Sequence, residues 1–389
     1  MQFILMQKDN PVLEFQAFES TSEIRISKII NEDRLPFHLQ KRDLRSEELR
    51  TWLLRRGISD SRPGTKRLLS ELKMNGVLQL ILKNKGLSLS DSYWIDDGTV
   101  EWEEVSIFQN PYPDDIGNFL LKGEPISEYT ISPDICTNGC LEKAWKRING
   151  KDYLFKMGKA PYYQEPLNEI ICTEIAKRAF PKLKVVNYHM AYANEQICSA
   201  CENFVTEDIE FVPASYIFHA NPMREDETIY SHFLRQCKLF DIRNVEKFLA
   251  SMIAFDYLIC NQDRHLGNFG FLRNVDSGLF IGPAPLFDNG NALWFDENIN
   301  TIGKGDEYCK PFEKLQEDQF KLVQKLHHID IQALAGIGPL VANTMGHNIA
   351  PERIEKIIIA LGNRAQKLDI KMQEIQKQLD FKDKEIEER

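Results

Sequence analysis

The segment VEKFLASMIAFDYLI, residues 245–259, runs straight into the polar stretch NQDRHLGNFG at 261–270. Its length and spacing read as a helix, with Asp241 or Asn244 placed to open it. Asp263, His265 and Asn268 follow at once in the pattern D-x-H-x-x-N, and Asp288 lies in the turn PLFDNG, eighteen residues beyond Gly270. Between them FGFLRN and GLFIG read as hairpin strands around the turn NVDSG. Helix, polar loop, hairpin and carboxylate turn must therefore follow one another in that order.

At 389 residues the chain has room for two or three units, each with its own core. A net charge of −10 argues against general coating of nucleic acid or anionic membrane. The opening MQFILMQKDNPVLEF lacks the basic flank and long apolar core of a secretory signal. No apolar stretch approaches 18 residues, so no membrane span is expected. Eight cysteines then read as reduced thiols of a cytoplasmic protein.

Residues 1–125 read as an accessory region of mixed α/β structure. Within it SEELRTWLLRRGISDSRPGTKRLLSEL predicts two helices, the first capped by Ser46 with Leu49, Trp52 and Leu53 on its apolar face. Lys41 to Lys73 holds ten Lys/Arg and five Asp/Glu, a basic stretch suited to DNA or an acidic partner, or to a solvated helix pair. Residues 126–215 read as a small β-rich lobe. There Asn149-Gly150 sets a type I′ hairpin in KAWKRINGKDYLFKMG, and QEPLNEIICTEIAKRAF follows as a helix with Pro166 in its first turn. VVNYHMAYA and QICSACENFV are two further strands. Residues 216–389 read as a helical lobe. It ends in a helix from Pro351 whose heptad-like apolar positions (Leu361, Ala365, Leu368, Met372, Ile375, Leu379) suit packing on its own chain.

A kinase must hold a polyphosphate, set a magnesium ion against it and orient an attacking hydroxyl. In such a catalytic loop the base Asp and the metal-binding Asn stand five positions apart, as Asp263 and Asn268 do, and a second metal-binding Asp follows in a turn, as Asp288 does. Carboxylate and amide oxygens suit Mg²⁺. Upstream, Lys156 is the candidate for the phosphates of ATP, with Lys143 and Lys151 as competitors. Glu169 is its candidate partner, with Glu165 as the alternate, and Thr137-Asn138-Gly139 is a candidate phosphate turn. Each residue also has a plain structural reading, Asp288 as a turn residue and Lys156 as a strand lysine among them. Cys136, Cys140, Cys198 and Cys201 lie in a loop and a strand, places that suit ordinary thiols better than a zinc site.

With TNGCLEK, the YLFK lysine and the NEI helix ahead of them, NQDRHLGNFG and LFDNG resemble the HipA-like serine/threonine kinases over residues 130–330. They are most similar to a branch seen in Firmicutes-type bacteria and to CtkA-like kinases. The D-R-H-x-x-N loop is also similar to that of phosphatidylinositol-kinase-like enzymes. The resemblance implies an α+β, two-lobed protein-kinase-like fold, ATP, Mg²⁺ and transfer to Ser or Thr of a protein substrate. It implies that Asp263 is the base, that Asn268 and Asp288 hold the metal, and that Lys156 meets the phosphates. By the same resemblance His265 braces the loop or a phosphate, and Glu202, Asn203 and Phe204 line the adenine. Autophosphorylation at Ser132 or Thr137 and a DNA-binding antitoxin-like partner are further implications, although residues 1–125 depart from the family's N-terminal region. A small-molecule or lipid kinase, or a pseudokinase serving as a DNA- or protein-binding module, are the alternatives.

Overall fold

In the computed structural model two units separate by their internal packing. The first comprises Met1–Met157, Ala191–Val212 and Phe271–Ile281; the second comprises Gly158–Met190, Pro213–Gly270 and Gly282–Arg389. The structure describes all residues except 19–20, 41–42, 60–63, 127–128, 137–140, 194, 306, 325–328, 347 and 388–389, together with the side chains of 382–387. Antiparallel sheets and twelve helices, counted among the described residues, make the fold mixed α/β.

The first unit opens with strands that the motif-based reading did not anticipate: β1 (Gln2–Gln7), β2 (Asn10–Phe18) and β3 (Glu23–Ile29). Helices α1 (Ser46–Leu54), α2 (Thr65–Glu71) and α3 (Val77–Lys83) precede β4 (Tyr93–Asp96), which completes an antiparallel sheet in the order β3–β2–β1–β4. Side chains alternate across a strand, so Phe3 and Leu5 face the same side as their partners Phe15 and Leu13. That face packs on Leu49, Trp52 and Leu53 of α1 and on Leu78 and Ile81 of α3.

Both expected helices of the 46–72 stretch form, with one correction. Ser46 is the first helical residue rather than the cap, and its Oγ accepts from Ile26 N–H across to β3 (3.0 Å), while the Glu48 carboxylate takes the Arg45 N–H (3.1 Å). Part of the basic charge of this stretch is committed internally. Arg56 is buried and bidentate to Asp91 (2.7 and 2.8 Å), and Arg67 lies over the Phe119 ring.

Helices α4 (Trp102–Val105) and α5 (Asp115–Lys122) lead to the hairpin of β5 (Lys143–Ile148) and β6 (Lys151–Met157). Asn149 (φ 51°) and Gly150 (φ 77°) both take the positive angles that its two-residue turn demands. In the second unit α6 (Glu165–Ala179) follows, with Pro166 in its first turn and Leu167, Ile171 and Ile175 buried. Strands β7 (Tyr188–Ala193) and β8 (Gln196–Glu202) complete a sheet ordered β5–β6–β8–β7.

Beyond β9 (Ile209–Pro213), α7 (Ala214–Phe218) and α8 (Ile229–Leu239), the helix read from sequence forms as α9 (Val245–Ile259) with Asn244 at its N-cap position. Strands β10 (Gly270–Asn274) and β11 (Phe280–Pro283) are the expected hairpin and join β9 in a third sheet. Helices α10 (Gln316–Phe320), α11 (Ile337–Met345) and α12 (Pro351–Glu387) finish the chain. Leu361 and Leu368 of α12 are buried, and its Arg364 donates from Nε to the Tyr257 carbonyl of α9, so the heptad-like stripe begins against its own chain. No helix among the described residues is long and apolar enough to cross a membrane.

Helix α9 is the support from which the polar loop projects, and Leu249 at its centre is 0% exposed. Leu249→Ala is expected to cost about 2–5 kcal/mol through lost burial and the cavity left behind. Denaturant unfolding of the two proteins measures it.

Candidate active site

Helix α9 stops where Cys260 turns left-handed (φ 52°), and the Asn261 N–H returns to the Asp256 carbonyl (2.9 Å). From there the loop bonds largely to itself. Asn261 Oδ1 accepts the Asp263 N–H (3.1 Å), and the Asp263 carbonyl accepts from both the His265 N–H (2.8 Å) and Asn268 Nδ2 (3.0 Å). His265 is exposed, and its Nδ1 takes the Gly267 N–H (3.0 Å). A Cβ on Gly267 would stand 2.9 Å from the His265 ring, so a larger residue there would push the imidazole from its place.

Arg264 holds this loop to its surroundings. The side chain is 0% exposed, and its guanidinium grips both Asp256 oxygens from Nε (3.0 Å) and Nη2 (2.9 Å). The same group donates to the Asn268 carbonyl, the Phe287 carbonyl and Asn289 Oδ1. Phe287 and Asn289 flank Asp288, so one side chain holds the backbone before Asp288 and the side chain after it against the loop that carries Asp263 and Asn268. Burial by itself would lower the Arg264 pKa, but Asp256 beside it, with Asp288 and Glu169 nearby, carries it above its ordinary value. The cation therefore stays charged in a dry place.

The Asp288 turn is also tied to α6. Asp288 itself adopts φ 61° and donates its N–H to the Tyr188 hydroxyl (3.4 Å). Glu169 Oε2 accepts the Asn289 N–H (2.8 Å), and Asn168 Nδ2 donates to the Gly290 and Ala292 carbonyls. The alternate Glu165 instead accepts from the Lys159 N–H (3.3 Å), and burial pushes its carboxyl above the usual range.

The structure thus gathers Asp263, Asn268, Asp288 and Glu169 in the second unit, with His265 at its exposed edge. Asp263 presents its carboxylate at the loop surface, where Asn291 Nδ2 binds Oδ2 (3.0 Å) and Lys310 Nζ binds Oδ1 (2.7 Å). Asn268 commits its amide nitrogen to the Asp263 carbonyl. Asn268 Oδ1 and the Asp288 carboxylate, on two loops held by one guanidinium, are hard donors of the kind Mg²⁺ takes.

The other expected residues belong to the first unit. Lys156 lies on β6, opposite Lys143 on β5 and Ser199 on β8, and is 5% exposed. Its competitors differ: Lys143 is half-buried, and Lys151 is exposed and paired with Glu202. Of the adenine candidates, Asn203 spends its side chain on the Leu89 carbonyl and the Val205 N–H, and Phe204 meets Phe211 edge-on. Thr137, Asn138, Gly139 and Cys140 lie outside the described residues. Ser132 is buried with its hydroxyl on Asp134 (3.1 Å). Cys198 and Cys201 lie buried along β8, and burial pushes the Cys198 thiol up to about 11. Among the described residues no three His, Cys, Asp or Glu side chains gather as a metal-binding group.

The family model of the HipA-like C-terminal domain matches residues 135–363, more than half of the sequence. The chain belongs to the HipA-like family. HipA of Shewanella oneidensis MR-1, solved as a toxin–antitoxin complex with HipB and operator DNA, matches this HipA-like protein with a TM-score of 0.53 and 13% identity, over 94% of this chain and 96% of that one. The proinflammatory kinase CtkA of Helicobacter pylori matches with a TM-score of 0.47 and 18% identity, over 60% of this chain and 94% of that one. No curated protein matches the chain.

Sequence reading assigned nothing to Arg264, Asp256, Asn291 or Lys310. Asp256 left a signal, as a lone carboxylate in the apolar run MIAFDYLI that requires a buried partner. Arg264→Leu is expected to destabilise the protein by about 3–5 kcal/mol, because it strands the Asp256 charge. The pair Arg264→Leu with Asp256→Leu is expected to recover much of that loss in a thermal unfolding series.

Proposed function

We propose that this HipA-like protein is an ATP- and Mg²⁺-dependent kinase with the two-lobed arrangement of protein kinases. Residues 126–215 form the small lobe, 216–389 the helical lobe and 1–125 an accessory region. The observation that carries the reading is the Arg264 clamp, which joins a base-bearing loop to a carboxylate turn with two oxygen donors between them. Family membership supports it.

In this reading Asp263 orients the acceptor hydroxyl of a protein Ser or Thr and takes its proton as the γ-phosphoryl group leaves ATP. Asn268 Oδ1 and the Asp288 carboxylate hold Mg²⁺, which when bound supplies positive charge to the phosphate oxygens. Lys156 meets the phosphates as a point charge, a role supported by its burial on β6, and Glu169 keeps the Asp288 turn in register. Glu202, Asn203 and Phe204 contact adenine in this reading. His265 braces its own loop through the Gly267 N–H.

Burial of the Ser132 hydroxyl moves the expected self-phosphorylation to Thr137. A DNA-binding partner of antitoxin type belongs to the same reading, by analogy with the HipA that was solved with HipB and DNA. The cytoplasm is the expected location.

Phosphotransfer from labelled ATP with Mg²⁺, to the protein itself and to a generic Ser/Thr acceptor, tests the reading. Asp263→Asn is expected to lower turnover by roughly 10²–10⁴-fold with ATP still bound. Lys156→Met is expected to weaken ATP binding itself, read by calorimetry. A wild-type protein that binds no ATP overturns the proposal.

A further inference from the structure

The segment carrying Lys310 is built onto the catalytic loop. Residues 307–316 close a tight hairpin, with the Cys309 N–H on the Lys314 carbonyl (2.9 Å) and the Gln316 N–H on the Glu307 carbonyl (2.9 Å). Two buried glutamines set its position. Gln319 Nε2 donates to the Lys310 carbonyl (3.0 Å) while its Oε1 takes the Phe312 N–H (3.0 Å), and Gln316 Nε2 donates to the Asn261 carbonyl (3.2 Å). Glu307 adds a third tie, since its carboxylate accepts from Trp294 Nε1 (2.7 Å) and from Gln262 Nε2 (3.0 Å), the residue just before Asp263.

All this precision ends in an ion pair that contributes little to stability. The Lys310 side chain is 54% exposed and that of Asp263 is 32% exposed. Exposed pairs of this kind are worth about 0–1 kcal/mol. The buried bonds therefore serve the placement of an ammonium group rather than the strength of the pair. With Asn291 on Oδ2 and Lys310 on Oδ1, the Asp263 carboxylate is held at both oxygens, and Lys310 covers its solvent side.

We infer that Lys310 is a further catalytic residue of this kinase, placed against Asp263 to neutralise the phosphoryl group as it passes to the acceptor. The inference rests on the kinase reading and deepens it. In the transfer a bond forms between the acceptor oxygen and the γ-phosphorus while the bond from that phosphorus to the bridging oxygen of ADP breaks. The bonding pair leaves with ADP, and the acceptor proton goes to Asp263. Lys310 stays protonated throughout. Its charge faces the incoming phosphoryl oxygens at the point where they approach the Asp263 carboxylate, which would otherwise repel them. A lysine suits this position because its ammonium is a compact point charge on a flexible stem that can shift from the carboxylate to a phosphoryl oxygen.

The test compares wild type, Lys310→Met and Lys310→Arg in steady-state phosphotransfer, and in binding of Mg·ADP with and without aluminium fluoride as the mimic of the phosphoryl group in flight. Lys310→Met is expected to lower kcat roughly 10- to 100-fold with KM for ATP within about two-fold of wild type. It is expected to lose at least about ten-fold of the extra affinity that aluminium fluoride confers while binding ADP alone unchanged, and Lys310→Arg is expected to regain part of both. An unaltered thermal midpoint in the variants shows that the fold is intact, as the exposure of Lys310 leads one to expect. Full turnover in Lys310→Met, faster turnover, or a change confined to KM overturns the role while leaving the kinase reading in place. A wild type that transfers no phosphate overturns the kinase reading and this role with it.

Discussion

The guanidinium of Arg264, sealed from water and paired with Asp256, is the interaction on which the candidate site depends. Transferring an isolated cation into the protein interior would cost several kcal/mol, so its position is tolerable only because Asp256 neutralises it, while the Asn268 and Phe287 carbonyls and Asn289 Oδ1 take the remaining N–H groups. Those carbonyls belong to the two loops that carry Asn268 and Asp288. Satisfying the buried charge and aligning the two loops that carry the Asn268 and Asp288 oxygens are thus a single structural act. The arrangement has no slack, since any shift of either loop leaves a buried N–H without its acceptor.

Around that centre the second unit adds successive layers of side-chain amides. Asn168 on α6 and Gln164 just before it hold the chain just beyond Asp288 through the Gly290, Ala292 and Leu293 carbonyls. Arg353 on α12 in turn holds Gln164. On the other side Gln316 and Gln319 anchor the hairpin that presents Lys310. Neutral amides can bridge loop backbones in a dry interior without the desolvation cost of further charges. Asp263 and Lys310 carry charge where the loops reach solvent.

Much of this architecture was legible along the chain. Asn149-Gly150 announced its hairpin because few dipeptides accept two consecutive positive φ angles, and Val245–Ile259 announced its helix by length and apolar content. The β1–β3 meander was missed, although Phe3, Leu5, Leu13 and Phe15 alternate in the buried pattern of a half-covered sheet. Short strands whose partners lie close by in sequence give a weaker signal than a long helix, and proline at position 11 interrupts the second of them. Ser46 is not the cap because its hydroxyl serves the neighbouring strand at Ile26, a partner that helix-capping rules do not include.

Residue types and spacings, such as five positions from Asp263 to Asn268 followed by an Asp in a turn, are properties of the chain itself. The family could be read from them, because the order of loop, hairpin and turn is set by local covalent spacing. Which groups hold those loops was decided by the tertiary structure alone. Arg264 reaches 25 positions onward to Asn289, Glu169 meets a backbone N–H 120 positions away, and Lys310 arrives 47 positions after the carboxylate it touches. No periodicity records such pairings, because each depends on where the folded chain returns and on the requirement that polar groups buried there find one another.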